Sequence, residues 1–298
     1  MEAAESLRKA LAVTEELHSV VKTMKALAGV NIRQYERAVA AVGDYHRTVE
    51  MGLQIALRRM PPHAIPPRYA PGRKLGAIVF GSDQGMCGLL NDQVVAYALR
   101  AMKKLAKRRD DQTTVAVGVR AASQLEAAEK PVEQTIAVPA SVGGIGPAVE
   151  AALRTIEEWH SRRAIETVVL FYARPVSGAW YRVRGEQILP MDAHWIQSLR
   201  VKPWPSKVLP MFTLDETRLF QLLVREYLFV SLFRAFAESL ASENASRLAS
   251  MQVAEKNIDE RLHNLTTSSR RLRQETITAE LLDIIASFEA LRGQKGRP

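Results

Sequence analysis

The sequence predicts a mixed α+β/α fold, in which two long helices from the chain ends pair antiparallel as a coiled coil and a small α/β domain is inserted between them. Three observations carry this. Apolar residues recur in alternating steps of four and three from Leu7 to Ala56, and again from Phe220 to Leu272. Between these segments the pattern changes to short continuous apolar runs alternating with helical stretches. Prolines cluster at both changes of pattern, at Pro61-Pro62, Pro66-Pro67 and Pro71, and at Pro203, Pro205 and Pro210. The expected organisation is a helix over 1–60, a proline-rich linker over 61–74, an α/β domain over 75–212, and a second helix with a short basic tail over 213–298.

The first helix follows Leu7, Leu11, Thr14, His18, Val21, Lys25, Ala28, Ile32, Tyr35, Val39, Val42, His46, Val49, Leu53 and Ala56. No proline interrupts the run to Arg59, and Ser6 is the expected N-cap. At about 1.5 Å per residue such a helix reaches roughly 80 Å and needs a partner of similar length.

The C-terminal seam supplies that partner. It reads Phe220, Leu223, Tyr227, Val230, Arg234, Ala237, Ala241, Asn244, Leu248, Met251, Glu255, Ile258, Leu262, Leu265, Ser269 and Leu272. Thr213 or Asp215 can cap its start, and Gly293 is the expected end. Lys25, Arg234, Asn244 and Glu255 interrupt otherwise apolar stripes. Two readings of them stand: polar positions that fix register inside the pair, or side chains that face another polypeptide.

In the middle, Leu75 to Phe80 is a continuous apolar run ending at Gly81, the mark of a parallel strand buried on both faces. Thr113–Val119 and Thr167–Tyr172 read as further strands, and Asn91–Arg108 and Pro147–Trp159 as helices. Strands alternating with helices predict a Rossmann-like layer structure with a mostly parallel sheet.

Composition narrows the function classes. The formal net charge is +9, which calls for acidic partners. The basic clusters at Lys103-Lys104, Lys107-Arg108-Arg109 and Arg270-Arg271 lack the interleaved aromatics of a nucleic-acid surface, so no nucleic acid is expected. A single cysteine, Cys87, forms no intrachain disulfide and suits a reducing compartment. No apolar run approaches the ~20 residues of a membrane span, and no secretory signal is evident. A soluble, cytoplasmic protein is expected.

Chemical motifs are sparse. Gly81-Ser82-Asp83-Gln84-Gly85-Met86-Cys87-Gly88 joins a strand to a helix, where backbone N–H groups can cradle phosphate. Its spacing matches neither the dinucleotide fingerprint nor the phosphate loop, so Gly81, Gly85 and Gly88 are read as structural glycines of a tight turn. Cys87 has no histidine near it in sequence and reads as a small buried hydrophobe. The histidines have no metal-ligand spacing, so no metal, cofactor or catalytic residue is assigned.

Several segments carry a family resemblance. Ala241-Ser242-Glu243-Asn244-Ala245-Ser246-Arg247-Leu248, with Met251, Ala254 and Asn257, resembles the C-terminal signature of F-type ATP synthase gamma subunits. So does Arg273-Gln274-Glu275-Thr276-Ile277-Thr278-Ala279-Glu280-Leu281. The turn Ser82–Asn91 is similar to the family's Ser/Thr-Asp-Arg-Gly-Leu-Cys-Gly-Gly-x-Asn, and Val21–Ala28 to its Thr-Lys-Ala-Met-Lys-Met-Val-Ala stretch. Gln84 departs from the usual Arg. Glu16–Val21 departs from the usual Asn-Thr-x-Lys-Ile-Thr and is closer to the alternative bacterial F-type ATPases. The chloroplast-type cysteine insertion is absent, so thiol regulation is not expected.

The resemblance implies a non-catalytic rotor shaft coupling ion-driven rotation to ATP synthesis or hydrolysis. The implied partners are the alpha and beta subunits of the catalytic ring, the epsilon subunit and the membrane c-ring, with membrane contact only through the complex. The implied location is peripheral, on the cytoplasmic face of the bacterial inner membrane. By the same resemblance, Arg273, Gln274 and Thr278 are expected to meet the catch loop of a catalytic subunit, and Arg247, Met24 and Lys25 its acidic lever loops. Two alternatives remain from the residues alone: a coiled-coil scaffold, and a nucleotide-binding α/β enzyme with helical arms.

Overall fold

The computed structural model describes residues 2–60, 74–106, 108–176 and 180–294. The proline-rich segment, with Pro61 to Gly72, lies outside the described residues.

Helix α1 spans Glu2–Arg59. It starts before the expected cap at Ser6, because Glu2, Ala3, Ala4 and Glu5 are good helix formers and acidic residues suit a helix N-terminus. The other long helix, here α6, spans Glu216–Gln294. Asp215 caps it: its Oδ2 accepts from the backbone N–H groups of Thr217 at 3.1 Å and Arg218 at 3.2 Å. Gly293 lies inside this helix rather than ending it.

Between them the order is β1 (Leu75–Phe80), α2 (Leu90–Leu105), β2 (Gln112–Val117), α3 (Val119–Ala127), β3 (Gln134–Ile136), α4 (Ile145–Arg163), β4 (Thr167–Pro175), β5 (Tyr181–Leu189) and α5 (Ala193–Val201). The five strands form one sheet in the order β3-β2-β1-β4-β5. β1 pairs parallel with β2 and β4, β2 pairs parallel with β3, and β5 closes the edge antiparallel to β4. The sheet is therefore parallel but for its last strand.

The chain divides into two compact units, Leu27–Ser250 and Met1–Ala26 with Met251–Pro298. In Leu27–Ser250 both sheet faces are covered. Ile78 and Phe80 of β1 point to the side filled by α4 and the 228–241 stretch of α6, where Trp159 and Phe236 are buried. Leu75, Ala77 and Val79 point to the opposite side, against Leu90, Val94 and Met102 of α2 and Leu125 of α3. Two covered faces explain why β1 reads as an unbroken apolar run. Gly76 is needed here: a Cβ would stand 2.4 Å from the Trp159 ring.

A smaller cluster joins Val49, Leu53 and Leu57 of α1 to Ile196 and Leu199 of α5 and Val230 of α6. Within this unit α1 and α6 run antiparallel, with Tyr45 donating to Glu226 at 2.7 Å and Asn31 to Asn244 at 3.4 Å. In the other unit they are antiparallel too, with Lys25 against Glu255 and His18 against Asp259. Every seam position named from the sequence, from Leu7 to Ala56 and from Phe220 to Leu272, is buried or half-buried. Among the described residues no helix is long and apolar enough to cross a membrane.

Candidate functional site

The strand-to-helix turn after β1 is a hydrogen-bonded knot. Asn91, in the first turn of α2, accepts from the Ser82 backbone N–H at 2.9 Å and donates to the Ser82 hydroxyl at 2.9 Å. Asp83 accepts from the backbone N–H of Val119 and of Val138, both at 2.9 Å, pinning the start of α3 and the loop before α4. Ser246 of α6 donates to the Cys87 carbonyl at 2.6 Å. The knot thus ties the sheet to α6.

Two of its three glycines are required. A Cβ on Gly81 would stand 2.6 Å from both the Ala121 Cβ and Asn91 Oδ1. Gly88 has φ +58°, and a Cβ there would lie 3.3 Å from the hydroxyls of Ser246 and Ser250. Gly85 has no such constraint, its closest neighbour being Arg120 at 3.7 Å. Cys87 is buried within the α2 side of the core. Nothing in the knot presents a nucleophile beside a base.

The polar seam residues turn out to be partnered within the chain. The Lys25 ammonium donates to Glu255 Oε2 at 2.5 Å, and this hydrogen bond holds the Glu255 carboxyl below its ordinary range. Asn244 accepts from Asn31 and donates to the Leu240 carbonyl at 2.8 Å. Arg234 reaches the sheet and donates to Glu186 of β5 at 2.6 Å. Tyr172 of β4 donates to the same carboxylate at 2.6 Å, and Arg184 lies 3.1 Å from it. One turn along α6, buried Glu238 pairs with Arg174 at 3.5 Å. Burial, then Glu186, push the Tyr172 phenol far above its usual range, so it stays a donor. Burial opposes the charge of Arg234, and Glu186 together with Tyr172, Glu238 and Tyr227 more than offsets it.

The expected contact residues fall into three environments. Met24 and Lys25 are half-buried on α1, Lys25 already engaged by Glu255. Arg247 is buried at 8% exposure, in the unit with the sheet, and donates to Glu243 at 2.6 Å. Arg273, Gln274 and Thr278 share an exposed stretch of α6. Thr278 turns its hydroxyl back onto the Gln274 carbonyl at 2.9 Å. The Arg273 and Gln274 side chains make no hydrogen bond or ion pair among the described residues.

That exposed stretch extends further than the motif. Every residue from Arg273 to Ala286 is exposed, including Ile277, Leu281, Leu282, Ile284 and Ile285 at 46–67%. Sequence reasoning singled out the donors here and missed these apolar neighbours. Among the described residues nothing covers this stretch. The signal was available: the apolar residues beyond Leu272 leave the seam positions. Among the described residues no group of three or more His, Cys, Asp or Glu is placed to hold a metal ion.

Comparison with known proteins agrees with this geometry. The family model described as ATP synthase matches residues 3–291. The ATP synthase gamma chain of Trichormus variabilis is 26% identical over 317 residues, covering 96% of this chain and 98% of that relative. The gamma chain of Thermobifida fusca is 23% identical, covering 95% of each. Among solved structures, a chain of the Euglena gracilis mitochondrial ATP synthase OSCP/F1/c-ring superposes with a TM-score of 0.64 at 18% identity, covering 100% of this chain and 97% of that one. A chain of the Tetrahymena thermophila mitochondrial ATP synthase central stalk/c-ring gives 0.55 at 21% identity, covering 79% and 99%.

Antiparallel pairing of α1 with α6 in each unit, and the mostly parallel sheet of one, make a fold shared with solved ATP synthase chains. The chain belongs to the ATP synthase family, as a gamma chain. Its function is that of the central rotor shaft, a non-catalytic subunit of the complex.

Proposed function

We propose that this shaft works as an antiparallel coiled coil standing inside a ring of alpha and beta subunits. Its α/β unit then rests on a membrane c-ring and holds an epsilon subunit, at the cytoplasmic face of a bacterial inner membrane. The observation that carries this reading is the change in α6 at Leu272. Up to that residue the seam is covered by α1, and from Arg273 to Ala286 the helix presents donors and apolar side chains that no described residue covers. Such a surface suits a sleeve made by other subunits.

An asymmetric shaft in a near-threefold ring touches each catalytic subunit differently. Only such differential contact can bias otherwise equivalent nucleotide sites toward different affinities. Arg273, Gln274 and Thr278 supply donors toward a catalytic subunit's loop, and Met24 and Lys25 supply a second contact on α1. Arg247 enters differently. Its burial and its bond to Glu243, four residues earlier on the same helix, hold its guanidinium beside the turn after β1, from which it reaches the lever loops only at its edge.

The test is reconstitution with alpha and beta subunits immobilised on a surface, with a bead on the α/β unit. Stepwise rotation driven by ATP supports the reading. A complex that hydrolyses ATP while the bead stays still overturns it.

A further inference from the structure

A second polar site lies where the turn after β1 meets α1 and α6. A cavity of about 300 Å³ opens there between Tyr35, Asp83, Gln84, Glu243 and Arg247. Its charges do not balance. Glu243 is only 5% exposed, and one carboxylate oxygen takes the Arg247 guanidinium at 2.6 Å. The other oxygen, Oε2, is buried without a hydrogen-bond partner. Asp83 gives both oxygens to backbone N–H groups and forms no ion pair among the described residues. Two carboxylates therefore face one guanidinium. Arg120 stands beyond Gly85, outside the lining. Burial raises the Glu243 carboxyl, Arg247 pulls it down and Asp83 pushes it up again, as expected for a carboxylate short of positive charge.

We propose that this cavity binds a guanidinium group, with Glu243 Oε2 as its principal acceptor. The remaining acceptors are neutral and spread out: the Gln84 amide at the exposed lip, the Asn31 and Asn244 amides, and the Tyr35 hydroxyl. A planar cation with several donors fits a spread of single acceptors, and a guanidinium is weakly enough hydrated to enter a half-dry site. A metal ion needs many oxygens converging at short range, and among the described residues no three acidic or histidine side chains converge here. A water takes about 30 Å³, so the cavity has room for the group and accompanying solvent.

The test uses the full chain, with guanidinium chloride at low millimolar concentration, well below denaturing levels, and sodium chloride at matched ionic strength. The expected result is saturable one-to-one binding by calorimetry and a raised melting temperature with guanidinium alone. Glu243→Gln weakens the binding at least tenfold. Gln84→Arg places a guanidinium on the lip in cis, so it melts above the wild type and no longer responds to the added cation. Should Glu243→Gln fail to fold, Gln84→Arg still decides. No saturable binding, an equal response to sodium, or an undiminished response in Gln84→Arg overturns the proposal.

The group has two sources, and the same titration on the assembled complex separates them; this arm alone rests on the shaft reading. Loss of the response on assembly identifies an arginine of a neighbouring subunit. A response that survives assembly identifies a diffusible guanidinium compound.

Discussion

Lys25 and Glu255 meet across the antiparallel helix pair, 230 residues apart in sequence and 2.5 Å apart in space. The contact fixes which turn of α1 faces which turn of α6. It also makes the pair sensitive to acid. Because Glu255 has a lowered folded-state pKa, its contribution is present above the ordinary carboxylate pKa and is lost as pH falls through the folded value. Lys25→Met should therefore lower the melting temperature slightly at neutral pH, with a difference from wild type that shrinks as the solution is acidified below the ordinary range. A difference independent of pH would assign the loss to packing of the lysine stem.

Adjacent residues on α1 should respond to the same change to very different extents. Val21 is 8% exposed and Val20 is 50% exposed. Val21→Asp puts a carboxylate into the seam and should cost about 2–4 kcal/mol or be met by a raised pKa. Val20→Asp should change stability by less than about 0.5 kcal/mol. Chemical denaturation of the two variants provides the comparison, and equal losses would displace the seam.

The turn after β1 offers a second contrast. Gly88→Ala forces an L residue into a left-handed conformation and crowds Ser246 and Ser250, so it should destabilise by about 1–2 kcal/mol or more. Gly85→Ala meets neither obstacle and should lie within about 0.5 kcal/mol of wild type. Urea midpoints with unchanged m-values would establish both.

Buried Glu238 predicts a pH profile of opposite sign to that of Glu255. Burial raises its pKa despite Arg174 and Arg234, so stability linked to it is full below the unfolded value and falls as pH rises through the folded one. Glu238→Gln should flatten this alkaline-side decline, gaining on wild type between mildly acidic and neutral pH. A variant that loses ground over that interval would show that the ion pair with Arg174 outweighs burial.

Coupling is tested on the exposed end of α6. Arg273→Ala with Gln274→Ala removes donors that have no partner within the described chain, so the isolated protein should melt as wild type does. In the assembled complex both ATP hydrolysis and ATP-driven ion pumping should fall. A charge-assisted hydrogen bond worth about 1.5–3 kcal/mol in the rate-limiting state corresponds to a loss on the order of tenfold or more. Steady-state assays on reconstituted vesicles, with assembly checked separately, provide the measurement. Wild-type turnover would remove these two residues from the contact.

Much of the architecture was legible because it is written in periods. Thr14, His18 and Lys25 would not pass as core residues by type, yet their spacing alone placed them on the covered face. β1 was legible because burial on both faces leaves an unbroken apolar run. β5 was not, because Arg182, Arg184 and Glu186 lie among its apolar residues and Glu186 finds its partner on α6, 48 residues from Arg234. The polar seam residues left two readings open for the same reason: whether Asn244 meets Asn31 or another subunit depends on register, which spacing does not specify. Of the site residues, the exposure of Arg273 and Gln274 followed from their place off the seam steps, just past Leu272. The burial of Arg247 did not, since it depends on Glu243 and on the turn that closes over α6.

The bonds from α6 to the sheet have a mechanical meaning. Apolar side chains resist separation but let one surface slide over another. The Arg234–Glu186 and Glu238–Arg174 pairs are directional, and each fails if α6 turns about its own axis. They sit on two successive turns and meet two strands, β4 and β5. The arrangement acts as a spline between axle and hub: twist applied at the sheet is delivered to the helix as twist and is not dissipated as slip.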